Sequence, residues 1–388
     1  MLRPIHHEGH EEHEGKNNFD RTLRDLRFMD FYYTGPDTLA GRYMRKFWHP
    51  VYRAQDLKSG WAKPITIMGE QFTLYRGDRG TPHVVDFRCP HRQAQLSIGW
   101  IEDDSIRCRF HGWKFDVEQP AEKESFAEKM RIRSCPTEEY LGLIFVYFGA
   151  GAPPPLPRYP DFEKDNLWAE TYVRPCNYVN NLENDPIHIP FTHRESEFYM
   201  NRPPEIPDIS VEESEWGVLL QSRFPSGRLY ITQHGLPNIL CFRERDRDHL
   251  AWRVPIDDDN HCSFQLDVTH ITEGEEGEAY QNRHKAREGK LGRSPKEIGE
   301  AVLRGEVRIQ DIEGPERSNI VWIQDYATQV GQGPLDLRKK EMLGRSDRAL
   351  ILIRKIWERE LQALEQAKPL KQWQRTERLA GLHSRAND

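Results

Sequence analysis

Between residues 39 and 149 the apolar positions come in short β-branched and aromatic runs, at 65–68, 72–75, 83–87 and 143–148, broken by Gly, Asp and Pro. Runs this short, bounded by turn formers, predict strands rather than helices, so the stretch reads as a small all-β domain. Pro153, Pro154, Pro155 and Pro157 then interrupt the pattern. Proline lacks the N–H that a sheet interior needs, so the run reads as a stiff connector and marks a boundary between units 19–152 and 153–388. Beyond it, strand-like runs at 216–221, 229–233, 238–242 and 263–271 mix with helical text, which predicts an α+β second unit. Ser294-Pro295-Lys296-Glu297 is a capping box with proline at the first helical position. A second helix is predicted after Ser346, with Leu350, Ile353, Trp357, Leu361 and Leu364 on one face. Residues 1–18 carry His6, His7, His10 and His13 among glutamates without apolar periodicity and read as a mobile tail.

A net charge of −7 without a Lys/Arg cluster argues against nucleic acid as a partner. No apolar run reaches membrane-spanning length, and no hydrophobic stretch follows Arg3, so a cytoplasmic protein is expected. Six cysteines in 388 residues suit metal ligation better than a disulfide framework. Cys135, Cys176, Cys241 and Cys262 read as buried thiols.

Two pairs of ligand-type residues stand in the β unit: Cys89-Pro90-His91 and, further along, Cys108-Arg109-Phe110-His111. Thiolate is soft and imidazole intermediate, so two of each fit a tetrahedral zinc or an iron–sulfur centre with both histidines on one iron. Each half contributes one Cys and one His between strands, and Gly99 and Gly112 allow close backbone approach to sulfide, which favours iron–sulfur. Downstream, 177–193 contains Asp185, His188 and His193 in the order Asp-x2-His-x4-His. Two imidazoles and a carboxylate on one face of iron(II) leave positions open for dioxygen and substrate. Residues five apart on a regular helix point roughly 140° from each other, and Pro190 supplies the distortion that lets His188 and His193 share a metal. Asp185 lies on the face of His188, close enough to hydrogen-bond its free ring nitrogen. Histidines satisfied by backbone in a loop are the alternative.

Cys-Pro-His-Arg followed by Cys-x-Phe-His-Gly-Trp resembles the signature of the Rieske domains of ring-hydroxylating oxygenases, and 177–193 resembles the mononuclear-iron signature of their α subunits. The resemblance extends over almost all of the chain past the tail, including Trp48-His49-Pro50 and 252–259. It implies a Rieske [2Fe-2S] cluster on Cys89, His91, Cys108 and His111, and a helix-grip-like catalytic domain with an antiparallel sheet. It also implies Fe(II) on His188, His193 and a later carboxylate. Asp325, in Ile323-Gln324-Asp325-Tyr326, fits that carboxylate, with Asp311 as runner-up. In the family the Asp of Asp-x2-His bridges to a cluster histidine of the neighbouring subunit, which assigns that role to Asp185. Here Glu183-Asn184 runs straight into Asp185 where relatives have two more residues, so Glu183 is the substitute. A second shortening lies between Trp113-Lys114-Phe115-Asp116 and Gln119-Pro120-Ala121-Glu122.

The implied reaction is substrate, O₂, two electrons and two protons giving hydroxylated product and water. Electrons come from NAD(P)H through a ferredoxin or reductase partner, because the chain has no nucleotide-binding Gly motif. The style is similar to the phthalate dioxygenase and dehydrodivanillate O-demethylase group, which implies a homotrimer of α subunits and an aromatic acid or aryl ether as substrate. Dihydroxylation, monohydroxylation and demethylation share the same metals. The rival readings are an electron carrier with a vestigial second site and a zinc-stabilised binding module.

Overall fold

The short apolar runs of the first half pair as antiparallel hairpins. The computed structural model describes residues 30–116, 132–183, 189–196, 205–244, 247–270, 273–379 and 381–382. β1 (Trp48–Arg53) lies in a three-stranded sheet. β2 (Ala62–Ile67), β3 (Glu70–Arg76) and β4 (Pro82–Asp86) form the body of a second sheet. A third small sheet holds β5 (Trp100–Glu102), β6 (Ser105–Arg107) and β7 (Lys114–Asp116). β8 (Ser134–Cys135) joins β4, while β9 (Thr137–Tyr140) and β10 (Leu143–Tyr147) complete the sheet of β1. The second half is built on one antiparallel sheet of seven strands: β11 (Leu167–Arg174), β12 (Asp208–Glu213), β13 (Gly217–Arg223), β14 (Leu229–Gly235), β15 (Ile239–Arg243), β16 (Arg247–Pro255) and β17 (His261–Thr269). Their order is β11-β17-β16-β15-β14-β13-β12.

Strand alternation gives this sheet two faces of opposite character. On β16, Leu250, Trp252 and Val254 enter the main apolar core. Trp252 meets Phe145 of β10 edge-on at 5.4 Å and Tyr159 at 5.5 Å, so the core runs continuously from the β unit into the large sheet. The β2–β3 turn is tied to the same place: the N–H groups of Met68 and Gly69 donate to the carbonyls of Pro255 and Ile256, both at 2.8 Å. The opposite face presents Tyr172, Arg174, His249, Arg253, His261, Ser263 and Gln265, and the helices lie across it.

The helices are α1 (Leu39–Met44), α2 (Tyr178–Leu182), α3 (Ile189–Thr192), α4 (Gly274–Arg287), α5 (Pro295–Leu303), α6 (Ile320–Gly331), α7 (Leu335–Arg338) and α8 (Arg348–Glu365). α5 starts at the predicted capping box, both halves of which form at Ser294 and Glu297. α8 buries Leu350, Ile353, Trp357 and Leu361 as its periodicity predicts. Trp357 stacks on Phe31 at 5.5 Å and meets Tyr43 at 5.2 Å, so residues near the start of the chain close over the C-terminal helix. Ser346 does not cap α8; a 3-10 turn, Arg345–Asp347, precedes it, and the Asp347 carboxylate accepts the Gly344 N–H at 2.6 Å. No helix among the described residues is long and apolar enough to cross a membrane.

α2 is locked by charge as well as by packing. Glu183, at its C-terminal end, is buried; its carboxylate accepts from Arg354 Nε at 2.7 Å and Arg354 Nη2 at 2.7 Å, and from Arg338 Nη1 at 2.6 Å. Burial alone would push this carboxyl up, but Arg354 and Arg338 together hold it below the usual glutamate range.

Two loops of the β unit share one backbone geometry. The Cys89 N–H donates to the Ala94 carbonyl at 2.8 Å, and the Gln93 N–H donates to the Cys89 carbonyl at 2.9 Å. The Cys108 N–H donates to the Trp113 carbonyl at 2.8 Å, and the Gly112 N–H to the Cys108 carbonyl at 2.9 Å. Both loops turn at a residue in the left-handed region, Gln93 with φ 61° and Gly112 with φ 73°. Gly99, expected to admit sulfide, has another cause: a Cβ there would stand 2.4 Å from the Arg107 carbonyl oxygen, so the residue lets two backbones meet.

Two stability predictions follow from these contacts. Left-handed backbone costs a non-glycine residue about 1–2 kcal/mol, against about 0.4–1 kcal/mol for the looser unfolded chain that glycine brings. Gln93→Gly should therefore raise stability by about 0.5–1 kcal/mol and Gly112→Ala should lower it by about 1 kcal/mol; chemical denaturation of the two variants checks the opposite signs. Glu183→Gln leaves two buried guanidinium groups short of their counter-charge, a loss of about 3–5 kcal/mol near neutral pH. Because the folded carboxyl titrates below its unfolded value of 4.5, that stabilisation is present above 4.5 and is lost as pH falls below it. Melting curves of wild type and variant should converge towards low pH; a gap that stays constant contradicts the assignment.

Candidate functional site

Cys89 and Cys108 sit at the base of the twin loops, in a small apolar cluster of their own with Tyr75, Val85, Leu96, Ile106 and Phe115. The two thiols lie close enough for Cys108 to act on Cys89. Burial, together with Cys108, pushes the Cys89 thiol up, while the backbone N–H groups of His91 and Arg92 point at its sulfur and favour the thiolate. The imidazoles turn the other way. His91 and His111 are exposed, with ring centroids 4.6 Å apart. His91 lies flat on Trp113 at 4.5 Å, and Phe110 packs on His111 at 4.0 Å. The loop tips are clasped by Arg92 over Phe110 at 5.4 Å and Arg109 over Trp100 at 5.1 Å. Arg107 holds the second loop by donating to the Gly112 carbonyl at 2.6 Å and pairing with Glu102; that hydrogen-bonded pairing pulls the Glu102 carboxyl down to about 2.

This donor set fits a mixed-ligand cluster. Two sulfurs converge on one side and two imidazoles on the other, and backbone N–H groups supply the hydrogen bonds that thiolates of such clusters require. Cys135, Cys176 and Cys241 are buried and Cys262 half-buried, all without disulfide partners. Burial pushes their thiols up, to about 11 for Cys135 and Cys176 and about 12 for Cys241 and Cys262.

The second set of donors is reached through α2. Asn177 caps the helix, its side chain accepting the Val179 N–H at 3.0 Å. Asn180 donates to the Gln329 carbonyl of α6 at 3.2 Å. Asn181 points its amide nitrogen at His261 Nε2 (2.9 Å), Tyr172 OH (3.0 Å) and Ser263 Oγ (3.1 Å). His261 Nδ1 donates to the Cys176 carbonyl at 2.8 Å, so Nε2 is the acceptor; burial keeps this ring neutral, with its pKa lowered to about 3. α2 is thus sewn to both the sheet and α6.

After α3 comes His193, whose Nε2 lies 3.0 Å from Asp325 Oδ1 on α6, 132 residues away in the chain. The same segment is tied to α6 and its leading turn: Gln324 donates to the Glu195 carboxylate at 2.7 Å, and Arg317 to the Glu195 carbonyl at 2.5 Å. Asp185 and His188 lie outside the described residues, as do the histidines of the N-terminal tail. Asp311 is not near His193; it pairs with Arg308 at 2.7 Å on the surface. Glu183 has both oxygens committed to Arg338 and Arg354, so the substitute bridging role is closed to it. Tyr172, Arg174, Asn181, Arg253 and His261 escaped the sequence reading. The signal for the four on strands was polar residues at every second position; Asn181, on α2, had none.

Residues 47–136 match the Rieske [2Fe-2S] domain family. Over 85% of its length the chain is 27% identical to the 5,5'-dehydrodivanillate O-demethylase oxygenase subunit of Sphingobium sp., of which it covers 78%. Phenoxybenzoate dioxygenase subunit alpha of Ectopseudomonas oleovorans is 27% identical over 85% of the chain and 83% of its own length. In fold, the chain superposes on the terminal oxygenase of carbazole 1,9a-dioxygenase from Novosphingobium sp. KA1 with a TM-score of 0.60 at 19% identity, covering 87% of this chain and 96% of that one. An oxygenase in a reduced carbazole 1,9a-dioxygenase oxygenase–ferredoxin complex gives 0.59 at 21% identity, covering 82% and 90%. With the twin Cys/His loops and the antiparallel sheet in hand, the chain carries a Rieske [2Fe-2S] domain and is similar along most of its length to the oxygenase α subunits of the Rieske aromatic oxygenases, which supports a [2Fe-2S] cluster and a mononuclear iron as its cofactors.

Proposed function

We propose that this oxygenase hydroxylates or O-demethylates an aromatic substrate bearing carboxyl or methoxyl groups, with Cys89, His91, Cys108 and His111 holding the cluster and His188, His193 and Asp325 the iron. The observation that carries the reading is the convergence of His193 Nε2 and Asp325 Oδ1 at 3.0 Å on the polar face of the large sheet. Iron held there supplies open coordination positions for dioxygen and one-electron chemistry. The chain's own part is positional. Asp325 brings negative charge to the metal position, Gln324 and Arg317 hold the segment of His193 against α6, and the asparagines of α2 fix the start of the iron motif. The proline run at 153–157 divides the cluster-bearing unit, 19–152, from the iron-bearing unit, 153–388.

Asp185 is the link between cluster and iron in this reading. The cluster end that carries His91 and His111 is exposed and flanked by Phe110, Ile98 and Trp100, at 56%, 55% and 37% exposure. An apolar rim around exposed imidazoles supports docking of an electron donor, a ferredoxin or an NAD(P)H-dependent reductase, and of a neighbouring subunit in a homotrimer. The ferredoxin complex of the carbazole oxygenase supports the first of these. The O-demethylase and the phenoxybenzoate dioxygenase support an aromatic substrate. In a demethylation, the hydroxylated methyl carbon forms a hemiacetal that releases formaldehyde and leaves the phenol.

Iron analysis separates an oxygenase from an electron carrier: three irons per chain are expected, and two support the carrier. Asp325→Ala should drop the count from three to two with the visible spectrum of the cluster unchanged; a variant that keeps three irons contradicts the ligand assignment. Asp185→Asn should keep all three irons and lose coupled O₂ consumption and formaldehyde release on methoxylated aromatic acids, assayed with a reductase. Undiminished turnover in that variant would remove Asp185 from the electron path.

A further inference from the structure

Among the described residues, the buried arginines other than Arg253 each reach an acceptor or counter-charge through their terminal nitrogens, although Nε of Arg287, Arg338 and Arg375 has no partner. Arg338 and Arg354 pair with Glu183, Arg287 with Glu170 at 2.6 Å, Arg375 with Asp161 at 2.6 Å, and Arg174 donates to the Gln329 side chain. Arg253, on β16, is only 5% exposed, and its Nε and Nη1 meet no hydrogen-bond acceptor. A guanidinium offers five N–H donors, and a buried one without a hydrogen-bonded counter-charge costs far more than one left in water. Nothing in the packing of β16 requires it: the strand is held by its ladder to β15 and β17 and by Trp252 on the other face.

Its surroundings say what it waits for. Arg253 lies on the sheet face crossed by α2 and α6, directly opposite Ser263 in the β16–β17 register. Tyr172, Arg174, Asp325 and Asp267 are the charged and titratable groups close enough to act on it electrostatically. One of these is the carboxylate that faces His193, so the guanidinium lies within electrostatic range of the proposed iron position. Two more strands add to the same face: on β14, Thr232 Oγ1 and both ring nitrogens of His234 are buried without partners, as is Ser222 Oγ on β13. Burial lowers the His234 pKa to about 4, so the ring is neutral and adds no competing charge.

We propose that Arg253 is the anchor for a carboxylate of the substrate, held beside the His193–Asp325 pair so that the aromatic ring reaches towards the iron position. The fork of the guanidinium matches a planar carboxylate through two parallel hydrogen bonds, which a hydroxyl or ether oxygen cannot supply. The preferred substrate is therefore an aromatic acid rather than a neutral aryl ether. This rests on the oxygenase reading above and deepens it. Arg253 acts in binding and orientation, and the unpaired polar atoms of Thr232, His234 and Ser222 suit oxygen substituents elsewhere on the ring.

The test uses the purified holoenzyme without oxygen, with benzoate and 3-methoxybenzoate as probes and benzamide and 3-methoxybenzamide as neutral counterparts of the same shape. Calorimetric titration of wild type should show at least one acid binding tenfold or more tighter than its amide. Arg253→Gln should abolish that preference with amide affinity unchanged within twofold, and Arg253→Lys should recover part of it. In the absence of any probe, Arg253→Gln should melt no lower than wild type, since no native partner is lost. Equal binding of acids and amides by wild type, an unaltered preference in Arg253→Gln, or a probe-free variant that melts several degrees lower would each overturn the anchor. Iron is counted on the same samples. Three irons without an acid preference defeat the anchor alone, whereas two irons with the preference intact defeat the oxygenase reading and leave the anion site standing.

Discussion

The carboxylate of Glu183, buried between Arg338 and Arg354, sets the position of α2, and most of the catalytic half depends on where α2 lies. Five residues make a helix far too short to persist alone. It persists because its C-terminal end is gripped by two guanidinium groups from α7 and α8, and its N-terminal Asn177 donates to the carbonyls of Tyr32 and Asp258. Between those fixed ends Asn180 reaches α6 and Asn181 reaches the sheet. The segment that follows α2 therefore starts from a fixed end, and α6 brings Asp325 to His193 in the same frame. A buried ion triad of this kind gives placement rather than surplus stability, because desolvation of its members offsets much of their attraction.

The cluster-bearing unit solves a different problem with a repeated device. A mixed-ligand centre needs its sulfurs shielded and its imidazoles within reach of a partner. The twin loops deliver this by the same pair of backbone hydrogen bonds, with Cys89 and Cys108 sunk in an apolar cluster and His91 and His111 at the surface. The histidine sits two residues after its cysteine in one loop and three after in the other, so the rings approach from different sides and meet at 4.6 Å. An exposed imidazole edge is also where a proton can be gained or lost with the electron, which couples the potential of such a centre to pH.

Much of this was legible in the sequence, for physical reasons that also explain the gaps. β3, β4 and β10 announce themselves because both their composition and their burial are apolar; the Cys/His pairs do so because few other arrangements place soft and intermediate ligands at such spacing. β11 and α4 were not legible. Both bury polar residues: Glu170 and Arg174 on the strand, Tyr280 and His284 on the helix, whose text Gly274–Arg287 has no apolar stripe. Hydrophobic periodicity reports burial only where burial is apolar, and this sheet face buries polar side chains. Asp325 was ranked over Asp311 from its neighbours in the chain, and in the fold Asp325 meets His193 while Asp311 pairs with Arg308. The left-handed turn at Gln93 carried no sequence signal, because the residue that suits such a turn is absent.

The central claim is that Cys89, His91, Cys108 and His111 hold one two-iron cluster with both imidazoles on the same iron. Pulsed electron paramagnetic resonance of the dithionite-reduced protein reads this directly, through the coupling of the unpaired spin to ligand nitrogen. Two strongly coupled imidazole nitrogens are expected, with one of them lost in His91→Cys if that variant retains a cluster. A reduced cluster without strong nitrogen coupling, or a colourless protein with no paramagnetic centre on reduction, would contradict it.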